Sequence, residues 1–489
     1  MRTRFPPSPT GLLHVGALRT ALYNYLIARK TGGSFAMRIE DTDQERSVPG
    51  AIEQFLHCLH WAGIDPDEGV MLRDGKIVEI GDKGPYIQSK RLDLYKKHAE
   101  ELRKAGHAYP CFCTPERLEK MREEQQAKKL PPMYDRLCLR LPVDEIERRL
   151  AAGERHVLRL KIPQSGSVTF TDEIRGPLTF QWHTVDDQVL LKSDGFPTYH
   201  LAHVVDDHLM AMDLVLRGEE WLSSLPKHLL LFDCFKWTKP KYAHVPLLLN
   251  KDRSKLSKRQ GSVSVNEYIE KGYLPEALCN FLALLGWNPG TTQELFSMEE
   301  LIAAFSLDRV QKSGAIFDVE KLNWLQGQWM RKISIEEFVE RTLPLVVAKY
   351  PQAKSDQEFQ KKAQMIQQRI TFFSEAPEML SFFYEEPSVT MELIANEKQK
   401  VARDQVPDIL RKLEEILTPI PEKNWTVEGL KSAVQNNLGN FKIGQLLWPL
   451  RAVLTGLAYS PGAFEVAEAL GKVKSLQRLQ KAKGIVGTS

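Results

Sequence analysis

Thr3-Arg4-Phe5-Pro6-Pro7-Ser8-Pro9-Thr10-Gly11-Leu12-Leu13-His14-Val15-Gly16-Ala17 reads as a short strand, a proline-stiffened loop and the start of a helix. Leu18, Leu22, Tyr25 and Leu26 then recur at helical spacing, and Gly32-Gly33 ends the run. Phe35, Met37 and Ile39 alternate as a half-buried strand that delivers Glu40-Asp41 at its C-terminal end. A strand–helix–strand unit of this kind predicts a doubly wound α/β sheet, whose ligands sit outside the carboxyl ends of the strands. His14 and Gly16 fall where the helix begins. Unpaired N–H groups and a partial positive charge at such a terminus favour phosphate oxygens, and a glycine lets a ring or phosphate approach the backbone. The same histidine could equally be a helix cap or a packed side chain. Neither GxxxxGK[ST] nor GxGxxG occurs, so a nucleotide site here is of another kind.

Further along, Lys251-Asp252-Arg253-Ser254-Lys255-Leu256-Ser257-Lys258-Arg259-Gln260-Gly261 carries five basic residues and one acidic residue. Its Ser and Gly punctuation predicts a mobile loop, either a solvated basic segment or one that closes over a triphosphate as charge builds on the transferring group. Arg4 and Arg217 lie in predicted strands, where guanidinium groups call for anionic partners. With Glu40, Tyr199, His203 and Trp221 they form a scattered polar set, each member of which could also be a structural ion pair. Cys111-Phe112-Cys113 with Cys138 downstream offers three thiols to a metal that wants four ligands, against a reading as free buried thiols.

The wider composition fits an ordinary soluble protein: 489 residues, 43% apolar, 26% charged and a net charge of +3. No apolar stretch reaches the roughly 18–20 residues of a membrane span. The first residues contain no apolar signal core, and six cysteines suit a reducing cytosol, so a cytoplasmic protein is expected. The region 96–197 mixes charged helices (Pro115 to Lys129, Asp144 to Arg155) with β-rich, Gly/Pro-punctuated stretches and reads as an inserted α+β module. The parallel-sheet signature is expected to resume near Phe196 to Tyr199 and at Asp213 to Arg217, before a helix containing Trp221. From about 240 onward the pattern predicts helices almost throughout. Residues 471–489 carry five basic and no acidic residues, a solvated face or a contact for a nucleic-acid backbone.

Taken together, the His-x-Gly at the first helix and the Lys-Leu-Ser-Lys-Arg loop resemble the class I aminoacyl-tRNA synthetases. Their "HIGH" signature corresponds to His14-Val15-Gly16-Ala17 and their "KMSKS" signature to Lys255-Leu256-Ser257-Lys258-Arg259. Flanking text is similar to the bacterial-type glutamyl-tRNA synthetase family: Arg4 to Gly11, Arg38-Ile39-Glu40-Asp41-Thr42-Asp43, Tyr199-His200-Leu201-Ala202 with Val204-Val205-Asp206-Asp207-His208, and Arg217-Gly218-Glu219-Glu220-Trp221. The resemblance covers essentially the whole chain. It implies an α/β Rossmann-type catalytic domain with an α+β insertion, followed by all-α stem-contact and anticodon-binding domains. The catalytic domain would occupy 1–95 and 198–240 around an acceptor-stem-binding insertion at 96–197. A stem-contact region would follow at 241–325, with anticodon-binding subdomains at 326–390 and 391–489. The long helical stretch after 325 separates the chain from the glutamyl-queuosine paralogue, and helices in place of β-barrels separate it from glutaminyl enzymes. Intact His14, Lys255 and Lys258 oppose a silent RNA-binding relative.

The implied reaction is ATP-dependent ligation of L-glutamate to the terminal adenosine of glutamate tRNA through a glutamyl-adenylate, with a form that also charges glutamine tRNA as the alternative. By family analogy His14, Lys255 and Lys258 act on the triphosphate, with Mg²⁺ as escort. Thr10, Gly16, Glu220, Leu247 and Ser257 complete the ATP site. Arg4, Ser8, Glu40, Tyr199, His203 and Arg217 would hold glutamate. An isosteric glutamine amide would leave a buried guanidinium unpaired at a cost of about 3–5 kcal/mol. Many relatives have Asn where this chain has His203. Arg369, Arg451 and the turn Ser460-Pro461-Gly462-Ala463-Phe464 are similar to segments that read the anticodon. Zinc-containing relatives place a His two residues after the third cysteine. Arg140 holds that place here, so no zinc is expected unless Tyr134 or another group completes the set. A monomer with tRNA as partner and no membrane attachment is implied.

Overall fold

The computed structural model describes residues 1–256 and 263–486, and the chain divides into two compact units, 1–270 with 275–319, and 271–274 with 320–489. In the first unit the elements run β1 (Thr3–Phe5), α1 (Val15–Lys30), β2 (Phe35–Met37), α2 (Ala51–Trp61), β3 (Glu68–Arg73), β4 (Lys76–Ile80), α3 (Leu92–Lys104), β5 (Ala108–Cys111), α4 (Pro115–Ala127), α5 (Val143–Ala151) and β6 (Val157–Leu160). They continue as β7 (Ser167–Asp172), β8 (Gly176–Gln181), β9 (Val189–Leu191), α6 (Tyr199–Leu209), β10 (Leu214–Gly218), α7 (Leu225–Phe235), β11 (Lys241–Val245), β12 (Leu248–Leu249), α8 (Val265–Glu270), α9 (Pro275–Leu284), α10 (Met298–Ala304) and β13 (Ala315–Ile316).

β1, β2 and β3 are parallel neighbours and β4 returns antiparallel. On the other side the Asp213 and Leu214 amides donate to the Arg2 carbonyl at 3.0 and 3.4 Å, which brings β10 against the free edge of β1, and β11 pairs parallel with β10. The winding therefore reverses between β1 and β10, and the crevice at their carboxyl ends is where such sheets take ligands. All three residues of β2 are buried, not alternately exposed, because helices cover both faces of a parallel sheet.

Three expectations need correction. Tyr199 opens helix α6 and is not part of a strand: Thr198, extended after Pro197, precedes a run in which Leu201, Ala202, Val204 and Val205 are all buried. Trp221 sits on a short 3₁₀ turn, Glu219–Ser224, that leads into α7. The region after 240 is not helical at first, since β11 completes the sheet. Lys-Tyr-Ala-His-Val between two prolines is too short to show a period, and only pairing with β10 makes it a strand.

Between α3 and α6 lie a three-stranded antiparallel sheet, β5-β6-β9, and the hairpin β7–β8. The hairpin turns toward β11, where the Glu173 amide donates to the Tyr242 carbonyl at 2.8 Å. The second unit is helical, with helices such as Ile335–Lys349, Val406–Leu417, Ile443–Thr455 and Lys472–Val486. The cations of the last helix are spent internally: Arg478 donates to the Phe382 carbonyl at 2.7 Å, Lys472 to Ile420 at 2.7 Å, and Lys483 pairs with Glu414. These three of the run's five cations thus have partners within the unit, while the Lys481 side chain stays 65% exposed.

Buried charge joins the sheet to α6. Asp207 accepts from Arg4 Nε at 3.1 Å and from Arg38 at 2.6 Å, and His203 Nδ1 lies 2.9 Å from its other oxygen. Asp206 accepts from Arg91 at 2.7 Å, Gln88 at 2.9 Å and the Tyr95 hydroxyl at 2.8 Å. Burial alone would raise the Asp207 pKa, but Arg4, Arg38 and His203 hold it well below the ordinary carboxylate range. Removing one member of a buried pair strands its partner's charge, so Asp207→Ala should cost about 3–5 kcal/mol in urea unfolding.

Candidate active site

The crevice between β1 and β10 opens into a cavity of about 570 Å³. Arg4, Ser8, Thr10, His14, Gly16 and Glu40 line it from the N-terminal segment, and Tyr199, Arg217, Glu220, Leu247 and Lys255 from the later one. His203 does not reach the wall. It is fully buried behind Arg4 and Arg217, bonded to Asp207, so it supports the arginines instead of meeting a ligand. Ser257 and Lys258 lie outside the described residues.

His14 is the N-cap of α1: its Nδ1 accepts from the Gly16 amide at 2.9 Å. In the neutral ring the proton then sits on Nε2. A Cβ on residue 16 would stand 3.2 Å from His14 Nδ1, so glycine is what lets the imidazole lie over the helix start. The segments on either side of the undescribed residues flank this point. The Leu256 amide donates to the Leu248 carbonyl at 2.9 Å, and the Val15 amide to Val263 at 2.8 Å.

The stretch carrying Leu247 is clamped from both sides, by Arg19 on α1, which donates to the Pro246 carbonyl, and by Glu219, which accepts from the Leu247 amide at 2.8 Å. Arg19 also lines the cavity and had no signal in the sequence, because a buried arginine inside an amphipathic helix reads as one of its polar positions.

The two pocket arginines differ in their company. Arg4 is paired with Asp207. Arg217 donates to the Tyr199 hydroxyl at 2.9 Å, His244 Nε2 at 3.0 Å and His228 Nδ1 at 3.2 Å, and no carboxylate pairs with it among the described residues. Its full charge is held by neutral acceptors, which leaves a site for an anion. Tyr199 and Trp221 pack at 4.1 Å between ring centroids beside it. Glu40, buried and bonded to Arg38 at 2.9 Å, supplies the pocket's carboxylate; burial raises its pKa and Arg38 opposes the rise.

The model of the catalytic domain of class I tRNA synthetases (E and Q) matches residues 1–324, and an anticodon-binding domain matches 337–483. The chain belongs to the class I glutamyl/glutaminyl tRNA synthetase family. It is 44% identical to a glutamate–tRNA ligase of Chlorobium phaeovibrioides, over 99% of this chain and 95% of that one. A Finegoldia magna glutamate–tRNA ligase is 43% identical over 99% of both chains. A crystal structure of a glutamate tRNA ligase from Elizabethkingia meningosepticum, in complex with its amino acid, superposes with a TM-score of 0.86 at 34% identity, covering 99% of each chain.

Within this family the second unit carries the anticodon-binding module. Arg451 stacks on Trp448 at 4.4 Å, and its buried Nε has no hydrogen-bond partner among the described residues. Burial first, and then the charge of Arg369, lower the Arg451 pKa. Ser460 is fully buried and its hydroxyl donates to the Pro461 carbonyl at 3.2 Å, so the turn 460–464 builds the wall and Tyr459, 58% exposed, is the aromatic that faces out. In the inserted module the sulfurs of Cys111, Cys113 and Cys138 lie within 4.8 Å of one another. The Tyr134 hydroxyl is 3.4 Å from Cys111 and 3.3 Å from Cys113, while Arg140 turns away to the Asp135 carbonyl.

Burial pushes His200 and His203 down to about 3 and His228 well below its usual value. Between about pH 3 and the unfolded value near 6.5, the unfolded chain therefore binds more protons than the folded one. Stability is complete above 6.5 and declines as pH falls through that window, by up to about 1.4 kcal/mol per pH unit for each histidine. The urea midpoint should drop between pH 7 and pH 5, and His203→Asn should flatten the drop.

Proposed function

We propose that the protein joins L-glutamate to the 3′-terminal adenosine of glutamate tRNA at the expense of ATP, releasing AMP and diphosphate. The observation that carries this is one cavity holding both a helix N-terminus with His14 and Gly16 and a pair of buried arginines with unequal neutralisation. In the first step the α-carboxylate of glutamate attacks the α-phosphorus of ATP. It is already ionised, so no base is needed and the work is positioning and charge stabilisation. Arg217 and Tyr199 suit one carboxylate, Arg4 the other, and Glu40 with Ser8 the ammonium. His14 and the Gly16 backbone receive the nucleotide phosphates, Lys255 and Lys258 steady the triphosphate with its Mg²⁺, and Glu220 and Leu247 cradle the adenosine. In the second step the terminal ribose 2′-hydroxyl attacks the adenylate carbonyl and AMP leaves.

Arg369 and Arg451 would read the anticodon, and a bidentate arginine-to-base contact contributes about 1–3 kcal/mol of selectivity. The chain divides functionally at 95, 197, 325 and 390, and the second catalytic segment extends past 240 to take in β11, which pairs with β10. We place the protein in the cytoplasm as a monomer; its six cysteines are all free, and no helix among the described residues is long and apolar enough to cross a membrane.

The thiol cluster meets the condition under which the sequence allowed a metal. Cys111, Cys113 and Cys138 would supply three sulfurs and Tyr134 the oxygen of a four-coordinate structural zinc site. Metal analysis of the purified protein should find one zinc ion per chain, and its absence would leave a hydrogen-bonded thiol cluster.

Charging assays with purified glutamate and glutamine tRNAs should give glutamyl ester on the first alone. Product on both would restore the less selective alternative. Lys255→Ala should lower kcat about 10²-fold with tRNA affinity nearly kept; equal loss of both would make the segment an RNA-docking patch.

A further inference from the structure

Two chains of contact leave the turn of the β7–β8 hairpin and reach the cavity wall from behind. Asp172, buried, closes the turn: its Oδ1 accepts from the amides of Ile174 at 3.0 Å and Arg175 at 2.9 Å. Its Oδ2 lies 2.7 Å from Nδ1 of His244 on β11, and on the far side of that ring Nε2 stands 3.0 Å from Nε of Arg217. A guanidinium N–H can only donate, so Nε2 is the acceptor and the single ring proton sits on Nδ1, aimed at Asp172. Burial keeps the imidazole neutral, with Asp172 opposing and Arg217 reinforcing that effect.

The second chain starts at Arg175. It donates through Nε to the His244 carbonyl at 3.3 Å and pairs with Glu219, whose other oxygen accepts from the Leu247 amide at 2.8 Å. Arg217 and Leu247 line the cavity, whereas Asp172, Arg175, Glu219 and His244 do not.

We propose that the turn Asp172–Gly176 of the inserted module is a positioning element with two separate outputs: Asp172 sets Arg217 for a substrate carboxylate through His244, and Arg175 sets the Leu247 amide for the nucleotide through Glu219. The assignment of the two outputs to glutamate and ATP rests on the function proposed above. Neither chain touches substrate, and each acts on one wall of the cavity.

A near-isosteric change separates the outputs. In Asp172→Asn the turn amides of Ile174 and Arg175 demand the amide oxygen at the Oδ1 position, which puts the NH₂ group opposite His244 Nδ1. The ring must then shift its proton to Nε2, where it meets the Arg217 N–H donor to donor. Glu219→Ala, at a side chain 25% exposed, instead releases the Leu247 amide and leaves the buried histidine untouched.

Aminoacylation of glutamate tRNA would be measured at varied glutamate and varied ATP, with thermal melts as a folding control. Asp172→Asn should raise the KM for glutamate about tenfold with the KM for ATP within about twofold, and Glu219→Ala should do the reverse. Both KM values rising together in each variant, or neither moving, would overturn the proposal. If Asp172→Asn melts far below the wild type, Glu219→Ala alone decides, since a merely structural role would not single out ATP. A wild type that charges no tRNA would sink the functional reading instead. Tryptophan-fluorescence titration of the same proteins with L-glutamate and with ATP would then read the two affinities directly and judge the hairpin by the same criterion.

Discussion

Asp207 on α6 accepts from Arg4 on β1 and from Arg38 just past β2, so a carboxylate encoded after the insertion bridges two guanidiniums encoded before it. Its neighbour Asp206 pairs with Arg91 and fixes Gln88 and Tyr95. The two halves of the nucleotide-binding sheet are thereby tied by side chains as well as by the edge of β1. Each of these ions is buried, and each would be costly alone. Their mutual satisfaction permits Arg4 to stand in the cavity wall in fixed geometry.

With Arg4 paired to Asp207, Arg217 is the strand arginine left without a carboxylate partner among the described residues. Arg217 is surrounded by a phenol and two neutral imidazoles, acceptors that orient it without cancelling it. A ligand carboxylate closes that account of charge, and a neutral amide of the same shape cannot. On the function proposed above, what surrounds this arginine is what would separate glutamate from glutamine. The low proton affinity of the neighbouring histidines serves the same end, because a protonated imidazole beside Arg217 would repel it.

Much of this was legible in the sequence where chemistry and chain position coincide. The first strand, loop and helix have contiguous signals, and the site residues named from them, Arg4, Ser8, Thr10, His14 and Gly16, all line the cavity. Legibility failed where meaning depends on a distant partner. Lys241 to Val245 becomes a strand only by lying beside β10, and Tyr199 begins a helix because Pro197 and Thr198 set its boundary. His203 has the right type and place in the chain for a pocket residue, yet stands one layer behind it. Asp172, Arg175 and Arg19 carry no local pattern, and Glu219, though inside a quoted stretch, shows its part only through a contact made across the fold. Ser460 illustrates the reverse error: a hydroxyl in a recognisable turn that the core has already claimed. Tyr134 is named from the sequence only as one group that could complete the thiol set, and the fold brings its hydroxyl to 3.4 Å from Cys111 and 3.3 Å from Cys113.

The span between Arg4 and Asp207 is 203 residues. During synthesis the opening strands therefore emerge long before the acid that balances them, and the intervening module is complete first. Non-local closure of this kind is slow, and the waiting segment exposes apolar strand edges. The sheet's native charge balance is therefore completed only after the whole insertion has been made.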